Sequence, residues 1–215
     1  MSTLVKLCGL MRPQDVEAAN RARPDMVGFI LSKGFRRSIK PRRAIELIER
    51  LDENIAVVGV FVNEPIYNVT RFTHTFDFDG YDAARTILVQ LHGDEDNAYI
   101  DELRHAMAYP GWWGISIIKA FTVRTAEDVA RACASTADYV LLDNGQGTGE
   151  TFDWSLVRNV DRPFVLAGGL GPHNVAAAIE AVHPWAVDMS SGIETNGVKD
   201  PNKMLAAVAA VRGAR

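Results

Sequence analysis

Short apolar runs rich in β-branched residues recur along the chain. An amphipathic stretch follows each one, the pattern of βα units that share a parallel sheet. The runs are Leu4 to Cys8, Met26 to Leu31, Ala56 to Val62, Ile87 to Leu91, Ile115 to Ala120, Tyr139 to Asp143, Phe164 to Ala167 and Ala186 to Met189. Helices are expected to open at Pro13, Pro41, Pro65, Asp94, Thr125, Asp153, the pair Pro172 and His173, and Asp200. Proline suits a first helical turn because its missing N–H would find no partner there, and Asp or Thr side chains accept from exposed amides. Thr70 to Thr86 is the least regular stretch, since His74, Asp77, Asp79 and Gly80 interrupt its period.

Eight such units in 215 residues, about 27 each, predict an α/β fold of the closed (β/α)8 TIM-barrel type at the small end of its range. A doubly wound open sheet has about five or six strands. No Pro-, Gly- or Ser-rich linker divides the chain, so residues 1–215 are expected to form one catalytic barrel.

Composition narrows the function. A net charge of -4, with only the short basic patches Arg36-Arg37 and Arg42-Arg43, gives no nucleic-acid or acidic-membrane surface. Met1 to Lys6 has no apolar stretch after a basic segment, and no long apolar run follows, so a cytoplasmic location without a membrane partner is expected. Two cysteines, Cys8 and Cys133, are too few for a disulfide framework. The histidines His74, His92, His105, His173 and His183 form no close ligand pairs, and Gly168-Gly169-Leu170-Gly171 lacks the dinucleotide spacing. No metal, no cofactor and no obligate protein partner are expected; the partner is a small phosphorylated molecule.

In a parallel barrel the chemistry lies at the C-terminal ends of the strands, where the βα loops converge. Gly168-Gly169 after the seventh strand and Ser190-Ser191-Gly192 after the eighth put small residues in adjacent loops, where backbone amides can approach an anion. Either cluster alone would also suit a tight turn; together they match the usual phosphate site of this fold. Cys8 ends the first strand. A buried cysteine is often a small hydrophobe, but at a barrel mouth a thiol whose pKa is lowered by nearby positive charge can act as a base. Asp143 ends the sixth strand after Val140-Leu141-Leu142, where it can cap the next loop or, if burial raises its pKa, donate a proton. Arg37, beside Arg36 and Lys33, can be solvated or can pair with a substrate carboxylate through its planar fork. His92 reads equally as structural or functional, and Asp188 as an internal hydrogen-bond partner. Cys133, among Ala130, Ala132 and Ala134, and Trp112-Trp113 before the fifth strand read as packing or surface.

These residues fall in segments that resemble one family along nearly the whole chain. The segments are VKLCGL from Val5, VGFIL from Val27, VGVFVNEP from Val58, VQLHGDE from Val89, LLDNGQGTGETFDW from Leu141, LAGGLGPHNV from Leu166 and VDMSSGIETNGVKD from Val187. In order and spacing they are similar to the phosphoribosylanthranilate isomerases. The resemblance implies an Amadori rearrangement of N-(5-phosphoribosyl)anthranilate to 1-(2-carboxyphenylamino)-1-deoxyribulose 5-phosphate in tryptophan biosynthesis. It implies Cys8 as general base and Asp143 as general acid. Arg37 would meet the anthranilate carboxylate, His92 and Asp188 would line the pocket, and Gly168, Gly169, Ser190, Ser191 and Gly192 would hold the phosphate. Three departures stand out. The loop Ser32 to Ser38 lacks the family's aromatic residue after the arginine, leaving Arg36 as a rival to Arg37; Gln146 replaces the usual first glycine of its loop; and the segment from Asp143 is shorter than in some members. The alternatives are a histidine-pathway type of sugar-phosphate isomerase, which would place an aspartate where Cys8 stands, and an inert phosphosugar-binding barrel.

Overall fold

In the computed structural model, residues 2–78, 86–108, 115–143, 153–158 and 160–214 are described. Eight parallel strands close into a barrel: β1 (Leu4–Cys8), β2 (Met26–Ile30), β3 (Ala56–Phe61), β4 (Ile87–Leu91), β5 (Ser116–Thr122), β6 (Tyr139–Asp143), β7 (Phe164–Leu166) and β8 (Ala186–Met189). Each strand pairs with its sequence neighbour, and β1 pairs with β8 to close the ring, Lys6 opposite Asp188.

Helices α1 (Pro13–Ala22), α2 (Pro41–Ile48), α3 (Ile66–Phe78), α4 (Asn97–Met107), α5 (Ala126–Cys133), α6 (Val175–Val182) and α7 (Pro201–Gly213) lie between the strands or after the last. The expected caps act as their chemistry dictates. The Thr125 hydroxyl accepts from Asp128 N, the Asp128 carboxylate accepts in return from Thr125 N, and Asp200 accepts from Asn202 N at 2.9 Å. Pro13, Pro41 and Pro201 open their helices.

Several expectations change, and one is that α6 opens at Val175, after Asn174, and not at Pro172 and His173. The fourth helix is capped by Asp96, whose carboxylate accepts from Tyr99 N at 2.8 Å, and not opened by Asp94, which pairs with Asn63 instead. Asp153 caps only a short 3₁₀ turn, Trp154–Val157, among the described residues. A small hairpin, β9 (Glu194–Thr195) and β10 (Val198–Lys199), follows β8 and was not legible as a strand pair. Trp112-Trp113 and Gln146 lie outside the described residues.

Side chains on a strand alternate between its faces, and in a barrel both faces are covered. The apolar core accordingly divides in two. Val5, Leu7, Val27, Phe29, Val57, Val89, Leu91, Val140, Leu142 and Val187 belong to the layer packed under the helices. Cys8, Met26, Val58, Val60, Leu88, Ile118, Leu141, Val165 and Ala186 fill the barrel interior, with the stacked Tyr139 and Trp185 rings packed against them. The same alternation assigns Lys6, Gln90, Asp143 and Asp188 to the inner face, and so decides which polar groups can meet in the middle. No helix of the described residues is long and apolar enough to cross a membrane.

Candidate active site

A cavity of about 520 Å³ opens at the C-terminal ends of the strands. Its wall includes Cys8 from β1, Arg37 from the loop after β2, Gln90 and His92 from β4 and beyond, Thr122 and Asp143 from β5 and β6, and Gly168, Gly169, Asp188, Ser190 and Ser191 from β7, β8 and their loops. Nine of the ten residues singled out in the sequence thus share one cavity. Gly192 is the exception. Its Cα lies under the Leu170 carbonyl, where a Cβ would come within 2.0 Å of the oxygen, so its part is to let the two loops pack closely.

The two loops beside β7 and β8 are shaped by backbone conformation. Gly168 and Gly169 have φ values of 90° and 63°, a left-handed region that a side chain disfavours. Asn174 braces them: its Oδ1 accepts from Gly171 N at 2.8 Å and its Nδ2 donates to Gly169 O at 2.9 Å. After β8, the Ser190 hydroxyl donates to the Cys8 carbonyl at 3.0 Å, while Lys199 Nζ donates to Ser190 O at 2.8 Å.

Arg37 and Arg36 separate clearly. Both hold Glu194, Arg37 through two nitrogens at 2.6 and 3.1 Å and Arg36 through one at 2.6 Å. Only Arg37 lines the cavity; its side chain is 20% exposed against 53% for Arg36. Gly9, with φ 81°, passes so close to Arg37 that a Cβ there would lie 2.6 Å from the arginine Cδ. Lys199 also meets Glu194, at 2.9 Å. Burial pushes the Glu194 carboxyl up, but hydrogen bonds from Arg37, Lys199 and Arg36 outweigh it and hold the pKa at about 2.

Across the cavity, Asp143 Oδ2 lies 3.9 Å from His92 Nε2. Gln90 Nε2 lies 2.8 Å from His92 Nδ1. With the amide donating, the ring proton sits on Nε2, facing Asp143. Loss of hydration lowers the His92 pKa more than Asp143 and Asp188 raise it, so the ring is neutral near pH 7. The loop that carries His92 is fixed by Glu95, which accepts from Asn63 N at 2.7 Å, from Gly93 N at 2.9 Å and from Lys119 at 3.2 Å.

Cys8 departs from the sequence expectation. It is only 6% exposed, and burial pushes its thiol up, against the pull of Lys6 and Lys199 and with a further push from Asp188. Positive charge is present, as expected, but desolvation outweighs it. Asp188 is indeed an internal hydrogen-bond partner, of Lys6, while also lining the cavity.

Lys6, Gln90, Asn174, Glu194 and Lys199 were given no role from sequence. The signal for Lys6 was a charged residue two places before Cys8 inside an apolar strand. Glu194 and Lys199 lay within a quoted motif, but only the closed loop after β8 reveals what they hold.

Fold and site together define a (β/α)8-barrel enzyme whose chemistry sits at the strand ends. The model of the family described as N-(5'phosphoribosyl)anthranilate (PRA) isomerase matches residues 5–210, and the chain belongs to this family. It is 38% identical over 218 residues to the N-(5'-phosphoribosyl)anthranilate isomerase of Thermoanaerobacter sp. (strain X514), covering 98% of both chains. It is similar to the crystal structure of phosphoribosyl anthranilate isomerase from Thermotoga maritima, with TM-score 0.83, 32% identity, and 98% and 99% of the two chains covered. A crystal structure of phosphoribosyl anthranilate isomerase in complex with reduced 1-(o-carboxyphenylamino)-1-deoxyribulose 5-phosphate matches with TM-score 0.81 and 32% identity over 98% and 99% of the chains.

Proposed function

We propose that the isomerase activity of this family is carried out in this chain by Cys8 as general base and Asp143 as general acid. The reaction is the Amadori rearrangement of N-(5-phosphoribosyl)anthranilate in tryptophan biosynthesis. Asp143 gives its proton to the furanose ring oxygen, the C1–O bond breaks, and the nitrogen lone pair forms a Schiff base at C1. The Cys8 thiolate then removes the C2 proton, and the electron pair moves toward C1 and nitrogen to give an enolamine. Tautomerisation yields the ketose, 1-(2-carboxyphenylamino)-1-deoxyribulose 5-phosphate. Protons pass between the substrate and the two side chains, electron pairs shift within the substrate, and there is no net oxidation or reduction, so the step balances without a further reactant.

One observation carries the reading: a thiol and a carboxyl group line the same cavity as the glycine- and serine-rich loops after β7 and β8. In it the phosphate is held by Gly168, Gly169, Ser190 and Ser191, with Gly192 setting the loop. Arg37 meets the anthranilate carboxylate, His92 stands beside Asp143, and Asp188 lies near Cys8. The second arginine, Arg36, is better read as a brace because it does not line the cavity. Residues 1–215 act as one catalytic barrel in the cytoplasm, with the small phosphorylated substrate as partner.

The test is loss of anthranilate-type fluorescence when the purified protein meets freshly generated phosphoribosylanthranilate. Rapid loss that depends on both Cys8 and Asp143 is expected. Binding without turnover would favour the inert phosphosugar-binding barrel, and turnover independent of either residue would overturn that residue's role.

A further inference from the structure

Lys6 is a charged side chain with no solvent exposure in the barrel interior, and the acid–base scheme above gives it no part. It faces Asp188 across the seam between β1 and β8, and its Nζ donates to Oδ1 at 3.0 Å. Cys8 lies two residues further along β1, so alternation sets it on the same inner face, one layer nearer the mouth. Opposite Cys8 in register stands Gly28 of β2. A Cβ on Gly28 would lie 2.7 Å from Cys8 Sγ and 3.1 Å from Lys6 Nζ, so thiol and ammonium border one notch that the glycine leaves open.

A buried ion pair is a weak source of stability, since well-packed apolar residues of similar volume often serve as well or better. Its position under the thiol supplies a different reason for it. We infer that Lys6 is a positioning residue for the reaction: its ammonium, held by Asp188, is the counter-charge that stabilises the Cys8 thiolate. The inference rests on Cys8 acting as the base. The electrostatics of the site agree. After burial, which pushes the thiol up, Lys6 is the strongest influence on Cys8 and acts in the opposite direction. Burial also works to lower the pKa of Lys6 itself, but Asp188 and Cys8 outweigh it, so the ammonium keeps its proton.

The test uses the full chain carrying Cys133→Ala, which leaves Cys8 as its single thiol. The rate of Cys8 alkylation by iodoacetamide is followed against pH, alongside the pH profile of kcat. In Lys6→Met the alkylation midpoint is expected to rise by about one pH unit or more, with kcat at pH 7 falling about tenfold and KM changing less than roughly threefold. Lys6→Arg, which keeps the cation, should recover most of the shift. If Lys6→Met does not fold, Gly28→Ala carries the test, because its methyl enters the notch between Nζ and Sγ and should also raise the midpoint. An unmoved midpoint in a folded variant overturns the inference while leaving the base assignment intact. A raised midpoint combined with normal turnover by Cys8→Ser overturns the base assignment, and with it the catalytic use of Lys6.

Discussion

Two parts of the cavity wall are built differently. The strands β1, β6 and β8 and the residue after β4 supply titratable side chains: Cys8, Asp143, Asp188 and His92. The loops after β2, β7 and β8 supply backbone, serines and one braced arginine, backed by Glu194 and Lys199, whose side chains are 6% and 1% exposed. Both parts contain a buried lysine paired with a carboxylate, and the pairs do different things. Lys6 and Asp188 meet inside the barrel, where the lysine directs its charge toward a thiol. Lys199 and Glu194 meet at the rim, where they tie the loop after β2 to the hairpin after β8. The difference teaches that a buried ion pair is to be read by what else its charges reach. One adjusts reactivity, the other fixes shape.

If this division holds, damage to the first part appears in kcat and damage to the second in KM. The largest effect is expected for Cys8→Ser and Asp143→Asn, each lowering kcat by about 10²- to 10⁴-fold in steady-state assays while product affinity changes little. Loss of affinity with kcat preserved would break the comparison at its stronger end. Next comes Arg37→Ala. Removing a charged hydrogen-bonding fork should raise KM by about 10- to 100-fold with a smaller change in kcat. An equal fall in kcat and in kcat/KM would move Arg37 to the chemical side.

Glu194→Gln sharpens the comparison through pH. The folded carboxyl titrates at about 2, below the ordinary glutamate value of about 4.3, so its stabilisation is present above pH 4.3 and is lost as pH falls through about 2. The variant should unfold more readily than the parent at pH 7, and the gap should narrow between those two pH values in urea titrations. A gap of constant size down to pH 2 would show that the rim cluster is not what Glu194 contributes. The smallest effect belongs to Arg36→Ala, whose exposed pairing with Glu194 should change KM by no more than roughly threefold. A change as large as that of Arg37→Ala would make the two arginines joint substrate contacts.

Much of this protein was legible before its structure. The strands β1, β4, β6 and β8 begin and end where the apolar runs do, because a strand buried on both faces reads as a near-continuous apolar run. Thr125 and Asp200 revealed helix starts because capping is a local bond between a side chain and an amide two or three residues away. Asp94 misled for a related reason. Asp96 stands two places on with the same capping chemistry, and Asp94 is taken up instead by Asn63 from the neighbouring loop. The strand-end rule found Cys8, Arg37, His92, Asp143 and the phosphate-type loops because it needs only the strand boundaries. It took in Gln90, one residue before the end of β4, without giving it a role, and it passed over Lys6, which lies within β1, and Glu194 and Lys199, which lie in the hairpin beyond β8.

The sequence by itself determined the eight strands, the closed barrel they imply, and the thiol and carboxyl group at its mouth. These follow from periodicity and from short-range bonds, which a linear string records. Only the tertiary structure decided which charges meet. Lys6 and Asp188 are 182 residues apart in the chain and 3.0 Å apart across the closing seam. Arg37 and Glu194, 157 residues apart, meet in the same way at the rim. The protonation balance of Cys8 depends on such meetings, because burial and neighbouring charge act on one thiol in opposite directions and the outcome is set by distances in space.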